Sequence, residues 1–567
     1  MQNSNIQKFG KTTLSDNKFS KHRLVTQTSI VTVLAGITAL FETYLSFSHG
    51  ILSRPMIYDG IAYCKKGKML ASTFQDEGFL ALITKSYSLR EPLWDFFLSL
   101  GFILFNSYED WAAYTSRFFP ILILLLAVNK ICVSRKFKFS IFLFAVIITA
   151  FLPIIFPSIR AVFPSKIYPN MYVLADLRPD FLWATILVYL VVYVVEQRKR
   201  TDGIFFVSIG LITGLGCMAK GMTSLLMIST AGILLIYYII TNREQSIMLF
   251  GKAIFLSLIS FISIIVPWKI QGGFDSNAAR FVNARNSTQV LWDNLSFAER
   301  FSKYVKVTEW HLGFYECAVI LLVLLLSAIL TLRKRKIQPH SLIYAVIMTH
   351  ILVILSTANS NLLVTLPVSL LFFLIGIIHL SSIGEHFIKN SYFIYLSIIV
   401  FILFWFYSSI YANYEMRTEL NNIYFEKGYL KNEKDSYLDM LVDVESLMAP
   451  DDSILNNYQI YGGIMGMNYY TGKEHKFTWM NISQSVEKFM NSINDTEFLL
   501  LDDSSSLAIY GGKRKVFFGE LYDHLDGNNR FEKIRTYRVN KFSLRYSLSN
   551  EMNVNQRSIS LYRNNAN

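Results

Sequence analysis

Charge is what this chain has little of. Of its 567 residues, 17% are Asp, Glu, Lys or Arg, against about 25% in an ordinary soluble domain. That deficit excludes one large water-soluble fold. Cysteine is scarce too. Cys64, Cys132, Cys217 and Cys317 show neither metal-ligand spacing nor a disulfide framework, and read as packing residues. The phosphate-loop pattern G-x-x-x-x-G-K-[ST] is missing, although Gly214, Gly216 and Gly221 surround Lys220. No internal repeat or low-complexity segment is found. The basic lead of residues 1–23 precedes a long apolar run with no small-residue cleavage site, so no cleavable leader is expected.

What is abundant is apolar. Hydrophobic residues make up 52% of the chain, with 45 Phe and 32 Tyr, which excludes a disordered or fibrous protein. The fold class expected is a polytopic α-helical membrane protein with a C-terminal external α/β domain. A helix needs about 20 apolar residues to cross a bilayer. Runs of that kind lie near 24–47, 112–131, 139–157, 179–195, 204–219, 222–240, 253–270, 312–332, 341–357, 362–380 and 393–412. The apolar run at 92–106 is short and reads as an interfacial helix or part of a further crossing, giving 11–13 spans.

The net charge of +13 would in a soluble protein suggest nucleic acid. Here the basic residues fall in short loops, so topology accounts for them and no nucleic-acid partner is expected. Clusters at Arg135/Lys136/Lys138, Arg198/Lys199/Arg200 and Arg333–Lys336 join the basic lead on the cytoplasmic side by the positive-inside rule. The chain then divides into a cytoplasmic lead (1–23) and a membrane domain (24–412) with external loops at 48–111, 158–178 and 271–311. An external soluble domain (413–567) follows. In that last part, Ser436 to Met448 reads as an amphipathic helix and Phe498–Asp502 as a buried strand.

That sidedness leaves charged residues against span ends where topology does not call for them. The group comprises Asp59, Lys85, Arg90, Arg117, Asp176, Arg178, Asp180, Lys220 and His311. Ionisable groups in such places are functional candidates by default. A boundary carboxylate such as Asp59 suits a general base or a metal ligand, and equally a solvated loop. Arginine forks such as Arg90 and Arg117 bind phosphate oxygens, and also anchor helices at the interface. Asp180 after Pro179 favours the positive start of a helix. Lys220 could meet an anionic head group or face solvent as a helix-end cation.

Their order carries more than any one of them. Asp59 follows the first span; then come Arg90-Glu91-Pro92-Leu93-Trp94, Arg117-Phe118-Phe119-Pro120, Arg178-Pro179-Asp180, Ala219-Lys220-Gly221, Pro267-Trp268 and Leu362 to Pro367. Over residues 24–380 this resembles the GT-C glycosyltransferase superfamily, in its family 39-like branch of lipid A aminoarabinose transferase and protein O-mannosyltransferases. Asp451 to Leu455 and Tyr469 to Gly472 are similar to the external domain ending many bacterial members.

The resemblance implies transfer of a sugar from a polyprenyl-phosphate donor to a lipid, glycan or protein acceptor at the external membrane face. The implied location is the bacterial inner membrane, with membrane lipids as partners. By motif position Asp59 would act as base or orient the acceptor, with a divalent metal cation as one route and Asp59 as its ligand. Asp180, or Asp176, would be the second carboxylate. Arg90, Arg117, Lys220 and Lys85 would hold the lipid phosphate, and Tyr63, Arg178 and His311 would contact acceptor or sugar. This chain departs from the pattern at Gly60, where relatives have Glu, and at Glu91, where they have Pro. The rival readings are a transporter or flippase of lipid-linked sugars and a polysaccharide polymerase or ligase.

Overall fold

The computed structural model describes residues 14–49, 59–152, 177–242, 247–275, 366–387, 392, 394–400, 402–403, 433–449, 453–456, 476–477, 485–502, 512–527, 529–540 and 556–565, with residues 298, 302 and 322. The predicted spans at 312–332 and 341–357 lie outside these residues, apart from Leu322.

The first part is helical: α1 (Leu14–His49), α2 (Asp59–Glu77), α3 (Phe79–Tyr87), α4 (Pro92–Phe105), α5 (Asp110–Tyr114), α6 (Phe118–Ser134), α7 (Phe139–Ala150), α8 (Asp180–Glu196), α9 (Gly203–Ala219), α10 (Ser224–Thr241), α11 (Ile247–Ile270) and α12 (Leu366–Phe387). Val25–Tyr44, Asp110–Ser134, Ser224–Thr241 and Met248–Ile270 are long and apolar enough to cross a membrane. Helix α4 is different. Its 14 residues rise about 21 Å, short of the roughly 30 Å hydrocarbon core. Pro92 sets its first turn, and Asn106, left-handed at φ 45°, closes it.

Small residues bring these helices close. A Cβ at Gly101 of α4 would overlap the Ala112 carbonyl, and one at Gly210 of α9 would overlap Ser257 of α11. Ser257 Oγ also donates to Phe206 O at 3.0 Å. Such contacts replace the hydrophobic drive that helices lack in lipid. The core between helices is apolar, with Trp183, Tyr114, Phe102, Phe205 and Phe206 fully buried.

The bundle has two distinct ends. At one, Arg135 Nη2 donates to Glu196 Oε1 at 2.9 Å, Tyr238 Oη donates to Arg200 O at 2.8 Å, and Asn242 Nδ2 donates to Arg198 O at 3.0 Å. The basic clusters at 135–138 and 198–200 thus share an end, as the sequence leads one to expect. At the other end meet the last part of α1, the starts of α4, α6 and α8, and the ends of α9 and α11.

The second part is a small α/β unit: α13 (Glu433–Ser446), β1 (Ser453–Asn456), β2 (Lys476–Phe477), α14 (Val486–Ser492), β3 (Phe498–Asp502), α15 (Gly512–Asp526), β4 (Phe531–Asn540) and β5 (Gln556–Asn564). The sheet order is β2-β1-β3-β5-β4. Strand β1 runs parallel to β2 and β3, whereas β5 is antiparallel to β3 and β4. Leu499, Leu501 and Leu561 pack with Phe489, Phe518 and Leu521 in a core of its own, which is why this segment reads as a separate domain.

Candidate functional site

The site end is built by two indoles. Trp94, one turn into α4, donates its Nε1–H to Leu177 O at 2.5 Å. Trp268, near the end of α11, donates to Leu89 O at 2.9 Å. Each bond grips the backbone beside a predicted site residue: Arg90 follows Leu89, and Asp180 lies three residues beyond Leu177. Leu177 is left-handed at φ 50°, a conformation that costs a non-glycine residue about 1–3 kcal/mol and persists where surroundings enforce it. Trp94 is part of that enforcement. Proline-tryptophan at 267–268 is ordinary in a membrane sequence; only the packing turns it into a clamp on Leu89.

Asp180 begins α8 and is buried against Lys220, which follows α9; Lys220 Nζ donates to Asp180 Oδ1. The two motifs, 40 residues apart in sequence, form one ion pair at the positive end of a helix, where a carboxylate is favoured. Arg117, on the turn before α6, is enclosed with Glu42 of α1 at 3.7 Å, both fully buried. Among the described residues Arg117 Nε and Nη1 and Glu42 Oε2 have no hydrogen-bond partner. Glu42 was not among the residues singled out from the sequence; a lone Glu in an apolar run was the signal.

Around α4 lies a four-charge cluster. Arg90 donates through Nε to Glu91 Oε1 at 2.7 Å and through Nη2 to Tyr63 Oη at 3.2 Å. Burial opposes the charge on Arg90, but Tyr63 and Glu91 outweigh it and hold the guanidinium above its ordinary pKa. Lys66 Nζ, on α2, stands 3.8 Å from Glu91 Oε2 and 3.6 Å from Asp95 Oδ2, over the Tyr63 ring at 5.0 Å. Glu91 and Asp95 are one helical turn apart and buried, and among the described residues Glu91 Oε2 and both Asp95 oxygens have no partner within hydrogen-bond distance. Burial pushes the Asp95 carboxyl up to about 7, with Lys66 pulling it down and Glu91 adding to the rise. Tyr63 and Lys66 share a face of α2, a helix within the stretch read from the sequence as an external loop, and their acidic counterpart on α4 likewise needed the fold.

Helix α2 starts at Asp59, two turns before Lys66, while the Asp59 carboxylate lies outside the described residues. Asp176 and His311 also lie outside them. Lys85 is exposed at the end of α3, and Arg178 is half-buried. The structure therefore brings together Tyr63 with Arg90, and Asp180 with Lys220, and through the indoles it fastens these pairs to α4 and α11. It does not place Arg117 in contact with either. Among the described residues no three His, Cys, Asp or Glu gather as cation ligands. Glu91 and Asp95 face cations of their own, so that donor set does not fit a divalent metal.

No protein-family model matches the chain, and no curated protein matches it in sequence. The solved structures do contain a match: ArnT from Cupriavidus metallidurans in the apo state, with a TM-score of 0.50 and 12% identity, covering 96% of this chain and 98% of that one. At that identity the likeness establishes the fold. The chain has an ArnT-like fold.

Proposed function

We propose that this chain is an integral-membrane glycosyltransferase that moves a sugar from a polyprenyl-phosphate donor to an envelope acceptor at the external membrane face. The observation that carries the reading is the meeting, at one end of an ArnT-like bundle, of the motifs around Arg90, Asp180, Lys220 and Trp268. That end is opposite the basic clusters at 135–138 and 198–200, as an external site requires under the positive-inside rule.

The acceptor's nucleophilic atom bonds to the anomeric carbon as the carbon–oxygen bond to phosphate breaks. The electron pair leaves with the polyprenyl phosphate, and the acceptor's proton passes to the Asp59 carboxylate. Arg90 faces the developing phosphate charge from a fixed position, since Glu91 and Tyr63 orient its guanidinium. Preorganised donors of this kind stabilise a leaving anion by about 3–4 kcal/mol each. Lys220 reaches the phosphate by exchanging Asp180 for it, which frees the Asp180 carboxylate toward the sugar or acceptor. Arg117 braces α6 against α1 through Glu42, and bears on the phosphate only if that pair parts.

The test uses wild type and Asp59→Asn in lipid nanodiscs, given polyprenyl-phosphate sugars and a bacterial envelope extract. Mass spectrometry follows free polyprenyl phosphate and the mass gained by the acceptor. Release by wild type and not by the variant is the expected result, and the size of the added unit separates single-sugar transfer from polymer ligation. Intact donor with both folded proteins would overturn the reading in favour of a transporter.

A further inference from the structure

Burial sorts the charges of the α4 cluster by sign. Lys66 and Arg90 are two cations and Glu91 and Asp95 two anions, so the group is formally neutral. Yet the Lys66 and Arg90 side chains are 28% and 14% exposed, whereas those of Glu91 and Asp95 are 2% and 0% exposed. The face open to a ligand is cationic and the buried face anionic. Glu91 explains how two cations stand side by side: Arg90 bonds its Oε1 at 2.7 Å while Lys66 stands 3.8 Å from its Oε2.

The two cations differ in what they have left to offer. Two Arg90 nitrogens are committed, to Glu91 and Tyr63. Lys66 is held only at ion-pair distance, 3.6 and 3.8 Å, beyond hydrogen-bond range. An ammonium has three N–H donors, and Lys66 faces one oxygen of each of two carboxylates, so at least one donor is left over from these two acids.

We propose that Lys66 is a substrate-binding residue that contacts the phosphate group of the lipid-linked donor beside Arg90, with Glu91 and Asp95 as the positioning residues that hold both cations. The proposal rests on the glycosyltransferase reading above. It also accounts for the acidic residue at position 91, which lets a second cation stand where a single one would otherwise act.

The test measures acetylation of lysines in the wild-type chain in nanodiscs, by mass spectrometry, with undecaprenyl phosphate, undecaprenol or inorganic phosphate present. Undecaprenyl phosphate is expected to slow acetylation of Lys66 about tenfold, as an occupied charge-assisted contact should, and to leave exposed Lys65 unchanged. Undecaprenol should protect neither. Protection by inorganic phosphate too would support the site and assign recognition to the phosphate group alone. In parallel, Lys66→Gln is expected to lose about tenfold in undecaprenyl phosphate affinity and Lys66→Arg to restore most of it, with Lys65→Gln as wild type. Equal acetylation of Lys66 with the lipid phosphate bound would overturn this inference while leaving the proposed function standing. No preference of the wild type for undecaprenyl phosphate over undecaprenol would overturn both.

Discussion

The two ends of the helical bundle both carry ion pairs, but they treat them differently. At the basic end Glu196 accepts two nitrogens of Arg135 at 3.2 and 2.9 Å and the hydroxyl of Ser134. Asp202 caps α9 through Phe205 N at 2.9 Å while receiving Arg200. At the site end Glu42, Glu91, Asp95 and Arg117 are all buried and, among the described residues, all keep polar atoms without a hydrogen bond. Neutral groups go unpartnered near the basic end as well, Gln27 and Asn129 among them, so the contrast lies in the charged groups. The Arg135–Glu196 and Arg200–Asp202 pairs are saturated, whereas the Arg117–Glu42 brace and the α4 acids are not, among the described residues. Those left short lie where an anionic ligand and its counter-charges would have to exchange partners.

The largest expected effect tests that contrast on stability. Arg117→Ala strands Glu42 in the interior and should cost about 3–5 kcal/mol, read as thermal unfolding in nanodiscs. Glu42→Ala/Arg117→Ala should recover most of the loss. Arg135→Ala at the basic end should cost less, about 1–2 kcal/mol, since Glu196 keeps the Ser134 hydroxyl. Equal losses at the two ends would erase the distinction.

Next comes activity. Lys220→Met removes a cation from the leaving group and leaves Asp180 unpaired; sugar transfer should fall by about 10²–10³-fold. The matching Arg135→Met should keep transfer within about threefold, since no step of the proposed reaction passes through that end. Donor-release kinetics on the two purified variants decide it.

A third expectation concerns pH. The native Asp95 carboxyl lies near 7, above the unfolded value of about 3.9. The folded state therefore binds the proton more tightly. Its stabilising contribution is fully present below about pH 4 and is lost as pH rises through about 7. Asp95→Asn should flatten that decline in thermal midpoint between pH 4 and 8. An unchanged slope would mean that Asp95 ionises freely.

The smallest effect compares two like hydrogen bonds. Trp268→Phe loses the bond to Leu89 O, and Tyr238→Phe loses the one to Arg200 O. Each should cost about 1 kcal/mol. Only Trp268→Phe is expected to slow transfer, by a few-fold, because its bond steadies the backbone before Arg90. Matched melting curves with unequal rates would sharpen the contrast; matched rates would break it.

The helical class, the separate α/β unit and the placing of basic clusters at one end were legible from composition and loop charge, since lipid demands long apolar runs and charge asymmetry. The strand at Phe498–Asp502 was found where the sequence put it, and the helix read at Ser436 to Met448 forms as Glu433–Ser446. The span expected over 139–157 begins as α7, Phe139–Ala150, and its last part, 153–157, lies outside the described residues.

Motif order named Arg90, Arg117, Asp180 and Lys220 as candidates, one by one. That order could not tell that Asp180 meets Lys220, that Arg117 is shut in with Glu42, or that Glu91 sits between two cations. Those facts depend on which helix ends converge and which side of each charge is covered. Hydropathy is a property of consecutive residues and can be read along a chain. Partner choice and burial are set by packing between segments far apart in sequence, 40 residues for Asp180 and Lys220 and 179 for Leu89 and Trp268, and only the tertiary structure decides them.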